Sequence, residues 1–361
     1  MNIVFVFADS LADWNSSEWR CVVPTRAINR SKRNSAQMLS ITEFAENLPP
    51  AQAVCRRADV IVVQRQLIGQ VLQAIQHWKA RDKVVIADFD DAYDLIPCDH
   101  PDYPYWVQGL SDQKQDSSQA PGRKYDPSPI VQFKWGLQLV HASTVPSKRL
   151  AGDWQAFTEI YHLPNYIDLE KYPPGPSGNE EDLIIGWGGS ESHVQSYQGS
   201  GILSALKHIC RARPHVKVMV CGKGRRIFEK LPLPPEQKIF QPWVPYEQWP
   251  RVLTKFDIGL APLHGPYDER RSWIKVLEYM AMKIPWIASE GPAYAELRPY
   301  GWLVKNSASA WERLLLDMVD HIGDYRAEAA RDPYLFALGQ SIDENIDRVT
   351  GTYLAIAQRA A

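Results

Sequence analysis

Short continuous apolar runs alternate with longer amphipathic stretches along almost the whole chain, and this rhythm restricts the fold more than any other feature. In the first half the runs lie at residues 3–7, 59–63, 83–87, 138–144 and 157–163. Their apolar residues are contiguous rather than alternating, the pattern of parallel strands covered on both faces. Between them, residues 18–30, 67–81, 130–137 and 147–154 carry apolar side chains at helical spacing. Strand and helix in alternation specify a doubly wound α/β sheet. Residues 98–129, rich in Pro, Asp, Ser, Gln and Tyr, interrupt the rhythm and read as a mobile loop with room for a short helix at its start.

The rhythm stops at residues 172–182, YPPGPSGNEED, which make a good linker and a poor strand or helix. It then restarts. Strands are expected at 183–187, 216–221, 238–241, 257–261, 286–289 and 302–304, and helices at 201–212, 246–255, 271–282 and 308–323. A last amphipathic stretch, 333–359, reads as helix. The expectation is an α/β chain of two Rossmann-like domains, 1–172 and 183–335, with 336–361 crossing back to the first. Two such sheets on one linker leave a cleft, and open sheets bind ligands at the carboxyl ends of their strands. A chain of 361 residues is long enough for two cores.

The net charge of −2 argues against a constitutive nucleic-acid binder. Five scattered cysteines without a CxxC fit free thiols in a reducing compartment. Nine histidines without ligand spacing argue against a metal site. The start, MNIVFVFADS, lacks the basic residues and long apolar stretch of a signal peptide. No run reaches the roughly 18 apolar residues of a membrane span. The expectation is a cytoplasmic protein, with peripheral contact to the inner membrane face left open.

Residues 268–282, DERRSWIKVLEYMAM, carry the most chemistry. On a helix over 271–282, Arg271, Lys275, Glu278 and Met282 share one stripe, apart from Ile274, Leu277 and Ala281. Two cations at i,i+4 repel slightly, and an anion between them relieves that. The first turn of a helix also favours an anion through its dipole and free amides. A diphosphate suits Arg271 and Lys275, and Glu278 one turn on could accept ribose hydroxyls. The plain alternative is a surface Lys275–Glu278 pair worth a few tenths of a kcal/mol.

Elsewhere, the strand at 83–87 runs into Asp88, Asp90 and Asp91. Clustered carboxylates raise one another's pKa, so Asp90 or Asp91 could accept a proton; equally, these are solvated turn and capping acids. Ser16, Ser17 and Arg20 follow the first strand and overhang the same sheet edge. The glycines at 186, 188 and 189 suggest a dinucleotide fingerprint, but Glu191 takes the third glycine's place and the next strand ends without an acid, so a nicotinamide enzyme is a poor fit.

The flanks of 268–282 extend the pattern. Upstream stands FDIGLAPLHGPYDERRS and downstream KIPWIASEGPAYAEL. Here the sequence resembles the retaining GT-B glycosyltransferases, the family-four or group-one branch. That branch has a D-x-G-L-x-P-L strand, an acidic loop, a helix with L-E-Y-M-A and a Pro-led strand. They correspond to 257–263, Asp268 with Glu269, 277–281 and 285–289. HLPNYIDLEKY at 162–172, LIIGWGGS at 183–190 and QPWVPYEQW at 241–249 agree with the family's pre-linker segment, glycine loop and base-holding segment. The resemblance covers about residues 165–302; the N-terminal half follows it only in outline.

The resemblance implies a GT-B fold. It also implies transfer of a hexose-type sugar from a UDP-, GDP- or similar donor to a hydroxyl of a glycan, lipid-linked or other acceptor. Configuration would be retained, with no metal and no cofactor beyond the donor substrate. Glu278 matches the second acid of the family's paired-glutamate motif, which binds the ribose. The first acid should stand eight residues earlier, where this chain has Arg270; Asp268 or Glu269 would substitute, and Asp268 is preferred. The amides of Arg271, Ser272 and Trp273 would face the sugar and distal phosphate. Gly188, Gly189 and Ser190 would line the diphosphate, and Trp243 and Val244 would hold the base. Asp268, Lys275 and Arg271, with Asp90 and Asp91, form the catalytic candidates; Ser16, Ser17 and Arg20 lie on the acceptor side. The Arg/Lys pair usual after the glycine loop is absent from 188–193, so Arg271 and Lys275 would supply that charge. The acids at 88–91 also match the DxD metal signature of the other glycosyltransferase fold, which the two-domain pattern disfavours. Arg270 and the missing basic pair keep open a non-catalytic sugar-nucleotide or glycan-binding protein. A glycosyltransferase acting on modified DNA is a third reading, disfavoured by the pI of about 6.5.

Overall fold

The computed structural model describes residues 1–10, 15–111, 124–172, 175 and 182–360. The chain forms two compact units. Unit 1 comprises Met1–Tyr166, Arg270–Ser272 and Ile342–Ala361; unit 2 comprises Ile167–Glu269 and Trp273–Ser341.

Unit 1 is built on six parallel strands: β1 (Asn2–Phe7), β2 (Ser35–Ser40), β3 (Val60–Gln64), β4 (Val84–Asp88), β5 (Ala142–Val145) and β6 (Ile160–His162). Their order is β2-β1-β3-β4-β5-β6. The chain leaves β1 to one side for β2 and returns on the other as β3, which puts a topological switch point between β1 and β3. At such a point the crevice past the strand ends is open to ligands. β3 is buried at every residue, as its unbroken apolar run requires. Phe89, Phe133 and Trp154 pack edge to face at 5.3–5.6 Å beside the sheet. The helix Ile346–Ala360 completes this core: Val349, Tyr353 and Ile356 are buried, and Tyr353 meets Phe5 edge-on at 5.9 Å. Ion pairs Arg30–Asp343, Arg33–Asp347 and Arg359–Glu159 fasten its ends.

Unit 2 has a second parallel sheet: β7 (Leu183–Gly188), β8 (Val216–Gly222), β9 (Lys238–Pro242), β10 (Ile258–Ala261), β11 (Trp286–Ser289) and β12 (Trp302–Val304). Their order, β12-β11-β10-β7-β8-β9, places the switch point between β7 and β10. Ile185, Val218, Leu260, Ile287, Leu206 and Trp311 lie in its core.

Several expectations are corrected. β2 and the helices Ile41–Glu46 and Pro49–Arg57 occupy a stretch without a strand or helix assignment. The sequence of β2, SAQMLS, is too polar to read as a strand; its pairing with β1 makes it one. The helix Pro129–Leu139 takes the start of the expected 138–144 strand, leaving β5 to begin at Ala142. The stretch 333–359 is two helices, Asp332–Gly339 and Ile346–Ala360. The helix expected over 271–282 begins only at Ile274 and ends at Ala281. Most of the expected linker at 172–182, residues 112–123 of the expected mobile loop and residues 11–14 of the first loop lie outside the described residues.

Candidate functional site

In unit 2 the polar side chains gather where β7 and β10 diverge. β7 ends in Gly188, where a Cβ would lie 2.2 Å from the Trp249 ring, so only glycine lets that indole rest on the strand end. Gly189 donates its N–H to the Cys221 carbonyl at 3.0 Å, closing the loop onto β8. Lys275, in the first turn of the Ile274–Ala281 helix, donates to the Gly188 carbonyl and sits 5.0 Å over the Trp187 ring. Its ammonium therefore supplies positive charge at the glycine loop, where the sequence has no basic pair.

One turn further, Glu278 is 5% exposed. Its Oε1 accepts from Tyr172 Oη at 2.9 Å and Trp249 Nε1 at 2.7 Å. Burial pushes its carboxyl up to about 7, opposed by the Lys275 charge and the two donated hydrogen bonds. Tyr246 Oη stands 3.3 Å from Tyr172 Oη and extends the network. Past β9, the Trp243 N–H bonds the Gly222 carbonyl at 3.1 Å, and Lys223 lies 5.4 Å over the Trp243 ring. Val244 follows, half-buried, and Ser190 shares a 2.6 Å hydroxyl contact with Ser192.

Two candidates take different places from those their sequence context suggested. Asp268 is 3% exposed and its Oδ2 accepts from Ser196 Oγ at 2.5 Å and the His264 N–H at 2.9 Å. That carboxylate oxygen fastens its own loop after β10. Arg271 is not on the Ile274–Ala281 helix: Trp273 precedes the first helical residue, with its Nε1 on Glu296 at 2.7 Å. The four-residue stripe is thus reduced to Lys275 and Glu278, and Arg271 belongs to unit 1 with Arg270 and Ser272. The helix has no side-chain cap.

In unit 1 a second cluster forms at the ends of β1, β3 and β4. Asp9, just past β1, accepts from Ser16 Oγ at 3.1 Å, the Ser17 N–H at 3.0 Å and Ser17 Oγ at 2.9 Å, and pairs with Arg65. Burial alone would raise its pKa; the Arg65 charge and the serine bonds outweigh burial and hold it below the usual carboxylate value. Arg65, just past β3, has φ of 38°, a conformation L residues seldom adopt. Past β4, Asp90 is half-buried and receives Tyr93 Oη at 3.3 Å. Burial first, and then the charge of Asp91, pushes its carboxyl up to about 7. Arg271 Nη1 lies 4.0 Å from Asp91 Oδ1.

Arg20, expected on the acceptor side, is instead a buried strut. It binds Asp88 at 2.8 and 2.5 Å, the Leu163 carbonyl at 2.7 Å and Asn165 Oδ1 at 2.9 Å. Ser16 and Ser17 hold Asp9, and Ser17 Oγ also reaches Gln64 Oε1 at 2.6 Å. Asp9, Arg65, Tyr172 and Trp249 did not stand out in the sequence. Asp9 and Arg65 could have been found as polar residues directly after apolar strands; Tyr172 and Trp249 are brought to Glu278 only by the fold. Among the described residues no group of three His, Cys, Asp or Glu could hold a metal, and no helix is long and apolar enough to cross a membrane.

Residues 193–321 match the model of the glycosyl transferases group 1 family. No curated protein matches the chain. Similar solved structures include Anabaena HepE in complex with UDP and glucose, 11% identical over 98% of this chain and 99% of that one, with a TM-score of 0.63. Sucrose-phosphate synthase of Thermosynechococcus elongatus is 12% identical over 100% of both chains, with a TM-score of 0.66. A Listeria monocytogenes protein described as a UDP-N-acetylglucosamine 2-epimerase is 10% identical over 97% of this chain and 94% of that one, with a TM-score of 0.59. At these identities the structures establish the fold, and the reaction class rests on the family match. Residues 193–321 therefore resemble a glycosyl transferases group 1 domain, and the chain is a glycosyltransferase with a GT-B fold.

Proposed function

We propose that the chain moves a hexose-type sugar from a nucleoside-diphosphate donor to a hydroxyl acceptor, with retention and without an essential metal. The observation that carries this reading is the pairing of Lys275 at the Gly188 carbonyl with Glu278 one turn on, both inside the family-matched segment. In this reading Lys275 and the amides past β7 stabilise the departing diphosphate, the main electrostatic demand of the reaction. Glu278 accepts the ribose hydroxyls, and Trp243 and Val244 hold the base. The bound UDP and UDP-glucose of the HepE structures support a uridine donor; GDP-sugars are the alternative. The unit 1 cluster serves the acceptor, with Asp90 or a donor phosphate oxygen taking the hydroxyl proton. A cytoplasmic setting fits the free cysteines.

The test is nucleotide release and product formation across a panel of UDP- and GDP-sugars with simple glycosides as acceptors, with and without a chelator. Sugar transfer in chelator, weakened by Glu278→Gln, supports the reading. Arg270 in place of the family's first acid favours one second reading, a non-catalytic sugar-nucleotide-binding protein. Donor binding with neither transfer nor hydrolysis would establish that instead.

A further inference from the structure

Where the family has the first acid of its glutamate pair, this chain has Arg270, and the structure shows what the substitution is tied to. Arg270 Nε donates to Asp153 Oδ2 at 2.6 Å, inside unit 1. The pairing cancels the positive charge that Arg270 brings to an acidic position. Two residues on, Ser272 Oγ accepts from Asn165 Nδ2 at 3.0 Å. Asn165 is itself fixed, because its Oδ1 holds Arg20 and Arg20 holds Asp88 at the end of β4. The three-residue segment is therefore fastened at both ends, and Arg271 between the fasteners faces Asp91.

Resting on the transferase reading above, we propose that Asp153 and Asn165 are positioning residues for the transfer reaction. By gripping Arg270 and Ser272 they set the Arg271 guanidinium against the Asp90–Asp91 pair. Two neighbouring carboxylates cannot both ionise cheaply, and a fixed cation beside one decides which of them keeps its proton. Arg271 lies 4.0 Å from Asp91, next to Asp90, whose carboxyl is pushed up to about 7 by burial and the Asp91 charge. The other charged or titratable groups around Asp90 are Arg65 past β3, Asp9 past β1, Asp88 of β4 and Tyr93. Arg20 also faces Asp90 and is tied to Asn165 and Asp88, so Ser272→Ala can reach it through Asn165, whereas Asp153→Asn acts on Arg270 alone.

The experiment compares wild type with Asp153→Asn, Ser272→Ala and the charge swap Asp153→Arg with Arg270→Asp. The readouts are kcat, donor KM, the pH–rate profile and the melting temperature. Asp153→Asn and Ser272→Ala should each lower kcat about tenfold or more, since misplacing a reacting group by about 1 Å can cost a hundredfold. Donor KM should change less than kcat, the acid limb of the profile should shift, and the swap should recover most of the loss. A purely structural role would lower the melting temperature and leave the shape of the pH profile unchanged, which overturns the proposal. Wild-type kcat and pH profile in both single variants overturn it and leave the transferase reading standing. Absence of sugar transfer by the wild type overturns both.

Discussion

Glu278, the proposed ribose acceptor, works against the stability of its own fold near neutral pH. Its folded pKa, about 7, lies above the ordinary 4.5, so the native state holds this proton more tightly than the unfolded chain does. The stability it confers is present in acid and is lost as pH rises from 4.5 to about 7. Glu278→Gln, which still accepts from Tyr172 and Trp249, should therefore gain in melting temperature relative to wild type as the pH is raised from 5 to 8. The same variant should bind the donor about ten- to a hundredfold more weakly, because a charge-assisted acceptor is lost. In the wild type, donor affinity measured by calorimetry should fall as pH drops below about 7 and the carboxyl takes its proton; in the variant it should be flat. Lys275→Met should lower kcat more than it raises donor KM, if the ammonium acts mainly on the leaving diphosphate. These two residues were legible because three-residue spacing on a helix is a property of sequence. Arg271 was not, because its place depends on where the helix starts. Arg20 was misread for a related reason: an arginine at the start of the helix after the first strand looks like a ligand contact until Asp88, Leu163 and Asn165 converge on it.

At the scale of elements, the end of β7 and the Ile274–Ala281 helix form one packed unit. Trp249 touches the Gly188 position and donates to Glu278, so the glycine and the carboxylate depend on the same indole. Gly188→Ala should displace that ring, cost about 1–3 kcal/mol by overpacking and weaken donor binding. Thermal melts and donor titrations would check it; unchanged values in both would show that the indole has another seat. The apolar strands of both sheets were readable because parallel strands buried on both faces need unbroken apolar runs. β2 was not, since an edge strand needs one buried face and its Ser, Gln and Ser residues hide that. The helix expected over 246–255 is a tight turn at Tyr246–Gln248 followed by Trp249–Leu253, a change forced by Pro250 near its start.

For the molecule as a whole, unit 1 is discontinuous in sequence: its last helix is encoded after all of unit 2. Truncation after Ser341 should remove the cover over Phe5 and the three ion pairs, and so destabilise unit 1 selectively. Hydrogen exchange would show faster amides in β1 and β4 and unchanged ones in β7 and β8; equal protection of β1 with and without the helix would refute this. The discontinuity also has a consequence during synthesis. At about 5–20 residues per second, residues 1–166 wait roughly 10–35 s on the ribosome before Ile342 and its successors are made. Throughout that interval, in which unit 2 is being made, the β1 face that Tyr353 will cover stays open. The nascent N-terminal half is then the part most in need of a chaperone, and slowing translation would lengthen its exposure instead of helping it fold.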